Sequence, residues 1–173
     1  LDEIMSDYGL KKVSGYIADT QRCYQGNYYA IFPQLSLSGD LGSGISNQMV
    51  LLLNSPGMEK TDTDNDNLTV TSFMQTSDSG YAVTENDQTQ GQYILGAVST
   101  NAISADSSDS DSEDEDDKSD ATDTDTKTAR LTVLASASMI SSDITDQLTT
   151  LDNLTLFVNS VTENFDNVNN VAI

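Results

Sequence analysis

Met49-Val50-Leu51-Leu52-Leu53, followed at once by Asn54-Ser55-Pro56-Gly57, is the stretch on which the fold reading turns. Five apolar residues without alternation, closed by a turn signal, describe a strand buried on both faces. Strands of that kind sit in sheets covered by helices on either side, so the run predicts a mixed or mostly parallel sheet. Leu131 to Ala135 repeats the pattern, and Tyr93 to Val98 and Tyr81 to Val83 read as shorter strands. Leu68 to Met74 alternates, with Leu68, Val70 and Ser72 on one side. Val13 to Ala18 is a β-favouring run closed by Asp19, and Val168 to Ile173 reads as a last strand. At the start, Leu1, Ile4, Met5 and Tyr8 fall at helical spacing before Gly9, where a helix would end. Near the end, Asp152 or Asn153 caps a helix reaching about Phe165, with Leu154, Phe157, Val158 and Val161 as its apolar stripe. Strands between two end helices predict an α/β architecture with flanking helices.

Charge and composition limit what such a domain does. The chain of 173 residues, a length that suits one domain, carries 28 acidic against 7 basic residues and no histidine, for a net charge of −21. That sign repels phosphate backbones and anionic headgroups, which argues against nucleic acid and direct lipid binding. Without histidine, Ser-His-Asp, Cys-His and His-ligated zinc arrangements are excluded. The one cysteine, Cys23, forms no internal disulfide and builds no structural zinc site. Abundant Asp, Asn, Ser, Thr and Gln with scarce Lys and Arg suit an extracytoplasmic bacterial surface. No stretch approaches the ~20 apolar residues of a membrane span. Because the chain opens inside a helical pattern, it is expected to be a piece of a longer protein whose anchor lies elsewhere.

Asp106 to Thr126 contains 11 acidic residues and Lys118 and no residue able to anchor a core, a net of −10 that leaves −11 for the rest. We expect residues 104–128 to form a disordered or mobile acidic loop between two core strands, a solvated spacer more than a cation collector.

Candidate sites are few. Asp62-Thr63-Asp64-Asn65-Asp66-Asn67 starts like a calcium loop, but position 6 is Asn67 instead of Gly and position 12 is Phe73 instead of Glu, so an incidental acidic turn is expected. Gly39, Gly42 and Gly44 lack the Lys-Ser or Lys-Thr of a phosphate loop. No Ser-x-x-Lys occurs. No catalytic residue, metal or cofactor is assigned. A hydrolase would need two carboxylates facing each other at ~5–10 Å. The possible ligand or partner surface is Tyr24, Tyr28, Tyr29 and Phe32, either packing a loop onto the sheet or forming a platform for sugar or peptide.

Three segments in order resemble a known family. Leu1 to Leu10, with Val13 and the strand ending at Asp19, is similar to the leucine-rich helix, "YGI" turn and Asp-ended strand of the auxiliary component of ABC-type transport systems associated in some bacteria with gliding motility. Leu68 to Ser77 resembles that family's strand with an "L-x-T-S" end. Leu131 to Ile140 resembles its strand before a Gly-Asp-Ser-like turn, and Asn153 to Phe165 its last helix, with Phe157-Val158-Asn159 as "F-x-N". Ala135 to Ser138 lacks the glycine and acids of that turn, and Asn164-Phe165 stands where Trp-Leu is common. The resemblance implies a flavodoxin-like or amidotransferase-like α/β domain, the second half of a larger one where further strands precede it. It implies a non-catalytic role on the extracytoplasmic face of a bacterial membrane, beside an ABC permease and ATPase. A cell-surface carbohydrate- or adhesion-type binding module is the alternative.

Overall fold

The computed structural model describes residues 1–103 and 127–164. Helix α1 (Asp2–Asp7) ends where Gly9, at φ +70, turns the chain into strand β1 (Leu10–Lys12). Then come β2 (Tyr16–Asp19), β3 (Cys23–Tyr24), β4 (Asn27–Ile31) and β5 (Gln34–Leu35). A 3-10 turn at Gly39–Gly42 precedes β6 (Leu52–Leu53), β7 (Met58–Lys60), β8 (Leu68–Gln75), β9 (Gly80–Val83) and β10 (Gln88–Gln90). The long β11 (Ile94–Ile103) and β12 (Lys127–Leu134) follow, then a second 3-10 turn at Ala137–Ile140, α2 (Ser142–Thr145) and α3 (Asn153–Thr162).

Strand β11 organises the largest sheet. It pairs with β8 along one edge and with β12 along the other, touches β7 at Ile94–Met58, and is buried without a break from Ile94 to Ser99. β1 extends the sheet beyond β7, and β5 extends it beyond β8. Gly96 sits where the β8 register shifts, and a Cβ there would meet Met74 and Phe73 at 2.6 and 2.8 Å. Only glycine lets the two strands close at that irregularity. Two three-stranded sheets, β10-β9-β2 and β3-β4-β6, lie beside it. Ile17, Ile31, Leu52, Phe73, Leu95 and Leu156 come from all three sheets and α3 and share one core. A second cluster buries Met5 of α1 with Leu10, Met58, Ile94 and Ala97.

This architecture overturns the expected α/β fold. Every strand pairing among the described residues is antiparallel, so neither a mostly parallel sheet nor a flavodoxin-like or amidotransferase-like layer arrangement is present. The physical reason lies in the run at Met49 to Leu53. Only Leu52 and Leu53 are strand, paired with Ile31 and Ala30 of β4. Upstream, Leu51 N–H donates to Asn153 Oδ1 and Leu51 O accepts from Asn153 Nδ2, both at 2.9 Å. Asp152 takes the Met49 N–H, and Ser138 Oγ takes that of Leu53. Val50, Leu51 and Leu52 are buried because the segment threads between layers, with side chains meeting backbone groups that a parallel sheet would otherwise pair.

Helix α3 is placed as expected, but its stripe is not. Leu156 and Ser160 face the core, while Leu154, Val158 and Val161 are exposed and Phe157 is half-buried. Polar Asn153 and Ser160 take inward positions because their side chains are hydrogen-bonded there. Residues 127 and 128, assigned to the acidic loop, begin β12. The rest of the expected loop, the strand at Val168 to Ile173 and Phe165 lie outside the described residues.

Candidate functional site

The four aromatics do not form one platform. Gln25 and Gly26, at φ 50 and 77, make the two-residue turn that joins β3 to β4. Positive φ at both positions matches the twist of an antiparallel hairpin. Tyr24 and Phe32 then meet edge to face, centroids 5.9 Å apart at 76°, and pack with Leu51, Leu53 and Leu151 around buried Ala30 and Ile144. These two serve the core. Tyr28 is 49% exposed, and half-buried Tyr29 turns to the other side of the hairpin.

Tyr29 lines a cleft with a residue that sequence reasoning missed. Tyr16, 55% exposed at the start of β2, lines a cleft of about 500 Å3 with Tyr29, Gly15, Asn54, Val83, Thr84 and Glu85. Two sheets supply the walls: Tyr16 stands opposite Val83 in the β2–β9 pair, and Tyr29 comes from β4. Asn54, at φ 46, donates its backbone N–H to Tyr29 O at 3.0 Å, while Ile17 N–H bonds Ser55 O at 2.8 Å. The Asn54-Ser55 corner therefore ties the two walls together. Gly15, at φ +85, lets β2 start against Val83, since a Cβ there would sit on the Val83 carbonyl. An exposed aromatic beside a glycine was the available signal for Tyr16. That it shares a cleft with Tyr29 depends on how two sheets pack.

Two carboxylates are buried elsewhere, and both are consumed by structure. Asp19 accepts from the Gln21 and Arg22 N–H groups through Oδ1, and from the Ser77 hydroxyl and N–H at 2.8 and 2.7 Å. Burial pushes its pKa up, but the hydrogen bonds from Ser77, Arg22 and Gln21 outweigh that and hold it below the ordinary value of 3.8. Asp152 behaves likewise. Burial raises its pKa, and bonds from Ser46, Met49 and Asn47 bring it below the ordinary value.

A smaller cleft of about 240 Å3 includes Glu59 and Asp87. Glu59 is ion-paired with Lys11 at 3.1 Å, and Asp87 accepts the Gln88 N–H at 2.8 Å. Tyr93 closes its floor, with its hydroxyl donating to Thr89 O at 2.8 Å. Burial raises the Tyr93 pKa, and the charge of Glu59 adds to the rise. Cys23 lines a third cleft of about 330 Å3 with Arg22, Phe32, Gln48 and Met49. The calcium-like run is an exposed turn in which Thr63 and Asn65 side chains accept backbone N–H groups of Asn65 and Asn67. Gly39 and Gly42 bound a 3-10 turn, where the Asn159 amide donates to Leu41 O and Ser43 O. Among the described residues, no helix is long and apolar enough to cross a membrane, and no three His, Cys, Asp or Glu gather as metal ligands.

The segments that carry the family resemblance meet in space. Asp19, ending the first, is bonded to Ser77, ending the second; strands β8 and β12, from the second and third, flank β11. Ser136 and Ser138, in the turn after β12, bond the Leu53 carbonyl and N–H. No protein-family model, no curated protein and no solved structure matches the chain.

Proposed function

We propose that this chain is a non-catalytic, outward-facing domain of a membrane-anchored ABC transport auxiliary protein, acting by protein or ligand contacts beside a permease and an ATPase. The observation that carries the reading is the Asp19–Ser77 junction, which joins the ends of two resemblance segments that lie 58 residues apart. The α/β architecture implied by the resemblance is absent, so the support is local, in motif ends that share one hydrogen-bonded frame. The non-catalytic part rests on the buried acids. Asp19 and Asp152 are held ionised by several donors each, which suits a carboxylate that fixes loops and not one that exchanges protons near neutral pH.

The test is purification of the full-length parent protein from detergent-solubilised membranes of its own host, with the accompanying chains identified. An ABC ATPase and a permease at stoichiometric yield are expected. A parent protein that purifies without either overturns the proposal.

A further inference from the structure

We infer that the Tyr16–Tyr29 cleft binds a neutral saccharide chain, whose further sugar units run across the outer face of the β10-β9-β2 sheet. At about 500 Å3 the cleft falls within the range of small-ligand pockets. Two tyrosine rings line it with Asn54 and one acidic residue, Glu85, while the Thr84 hydroxyl beside them is already engaged, donating to the Asp87 carbonyl and accepting the Asp87 N–H. Ring faces that pack on the C–H faces of a pyranose, with one amide residue and one acidic residue beside them for its hydroxyls, suit a sugar. No cationic side chain lines the cleft, and the chain bears −21, so a phosphate, sulfate or uronate has no counter-charge and meets long-range repulsion.

The strand register extends the site. Tyr16 pairs with Val83 and Val83 with Gln88, while Ala18 pairs with Tyr81 and Tyr81 with Gln90. Directly paired residues project to the same face of a sheet, so Tyr16, Ala18, Tyr81, Val83, Gln88 and Gln90 share one uncharged face leading out of the cleft, closed at buried Ala18 and open at Tyr16, Gln88 and Gln90. Ile17, Ala82 and Thr89 take the opposite face, where Ile17 and Ala82 enter the core. Gln88 and Gln90 are exposed and Tyr81 and Val83 partly so. The Gln90 amide donates to Asp78 O at 3.2 Å, which fixes its side chain and leaves its oxygen free to accept a sugar hydroxyl. This inference stands apart from the transport proposal and does not depend on it.

The experiment is isothermal titration of the 173-residue chain with glucose- and N-acetylglucosamine-based oligomers, from monosaccharide to hexasaccharide. Hyaluronate fragments serve as the charged counterpart and tetramethylammonium as a cationic one. Affinity is expected to climb with neutral chain length. Tyr16→Ala should weaken every neutral oligomer about tenfold, the scale of one good aromatic contact. Tyr81→Ala should leave the monosaccharide unchanged and erase the gain with length, with thermal unfolding of each variant confirming the fold. Equal affinity at all lengths, or a Tyr81→Ala variant that keeps the gain, overturns the extended face and leaves the cleft. Binding of tetramethylammonium or hyaluronate without the neutral sugars, or of none of these probes, overturns the site as a whole.

Discussion

The carboxylate of Asp19, ending β2, holds both the hydroxyl and the backbone N–H of Ser77, 58 residues further along, at 2.8 and 2.7 Å. Through Oδ1 the same group also takes the Gln21 and Arg22 N–H groups. One side chain therefore closes the turn after β2 and clamps it to the end of β8. Asp19 and Ser77 have no solvent exposure, so the Ser77 hydroxyl and N–H left without the carboxylate would be left without water as well. Asp19→Ala is expected to lower stability by about 3 kcal/mol, with Asp19→Asn somewhat less harmful, read as the shift in urea midpoint. A midpoint unchanged in Asp19→Ala would refute the clamp.

Acid should release both buried carboxylates. Asp19 and Asp152 have folded pKa values below the ordinary 3.8, so the stabilisation they provide is complete above that unfolded value and drains away as pH falls through the lower folded ones. Urea midpoints measured from about pH 7 down to about pH 3 should hold nearly level and then drop. Asp19→Asn should flatten that drop, because its proton uptake on unfolding is gone. An acid limb of equal steepness in the variant would assign the drop to other groups.

Asn153 is the peg on which the buried Leu51 segment hangs. Its amide meets both the N–H and the carbonyl of Leu51 at 2.9 Å, and the Met139 carbonyl at 3.0 Å. Leucine there would fill similar volume and pair with none of them. We expect Asn153→Leu to cost about 3 kcal/mol and to expose amides 49–53 to faster hydrogen exchange. Protection that survives the change would mean the segment is held by packing alone.

Gly15→Ala should injure the cleft at its root. At φ +85 an alanine is strained, and its Cβ would collide with the Val83 carbonyl, so β2 must move away from β9. A loss of about 2 kcal/mol is expected, seen as a lower Tm. Tyr16→Ala next to it, on a side chain 55% exposed, should change stability by less than about 0.5 kcal/mol. The pair of variants separates backbone strain from surface chemistry.

Local elements were legible. The helix before Gly9, the alternation of Leu68 to Met74 and the helix from Asn153 all form near their expected bounds. The expected cap does not form: Asp152 and Asn153 turn their side chains to Ser46, Asn47, Met49 and Leu51 instead of to the helix N-terminus. What the reading missed has one cause. A continuous apolar run reports burial on every side without saying what supplies the backbone partners. At Leu51 those partners are the side-chain amide of a residue 102 positions away. The aromatic cluster divides for a related reason: Tyr24 and Phe32 pack against Ala30 and Ile144, whereas Tyr29 lines a cleft with Tyr16 of another sheet.

The sequence by itself determined the charge of −21, the absence of imidazole chemistry and the places of a few local elements, the helix before Gly9, the strand from Leu68 and the helix from Asn153, because these depend on composition and on contacts a few residues apart. Tertiary structure alone decided that the strands pair antiparallel, that Asp19 and Asp152 serve as clamps and that two tyrosines share one cleft. Each of those outcomes joins groups far apart in the chain, and the free energy that selects among such pairings comes from burial and hydrogen-bond satisfaction in the assembled core, which no local pattern records.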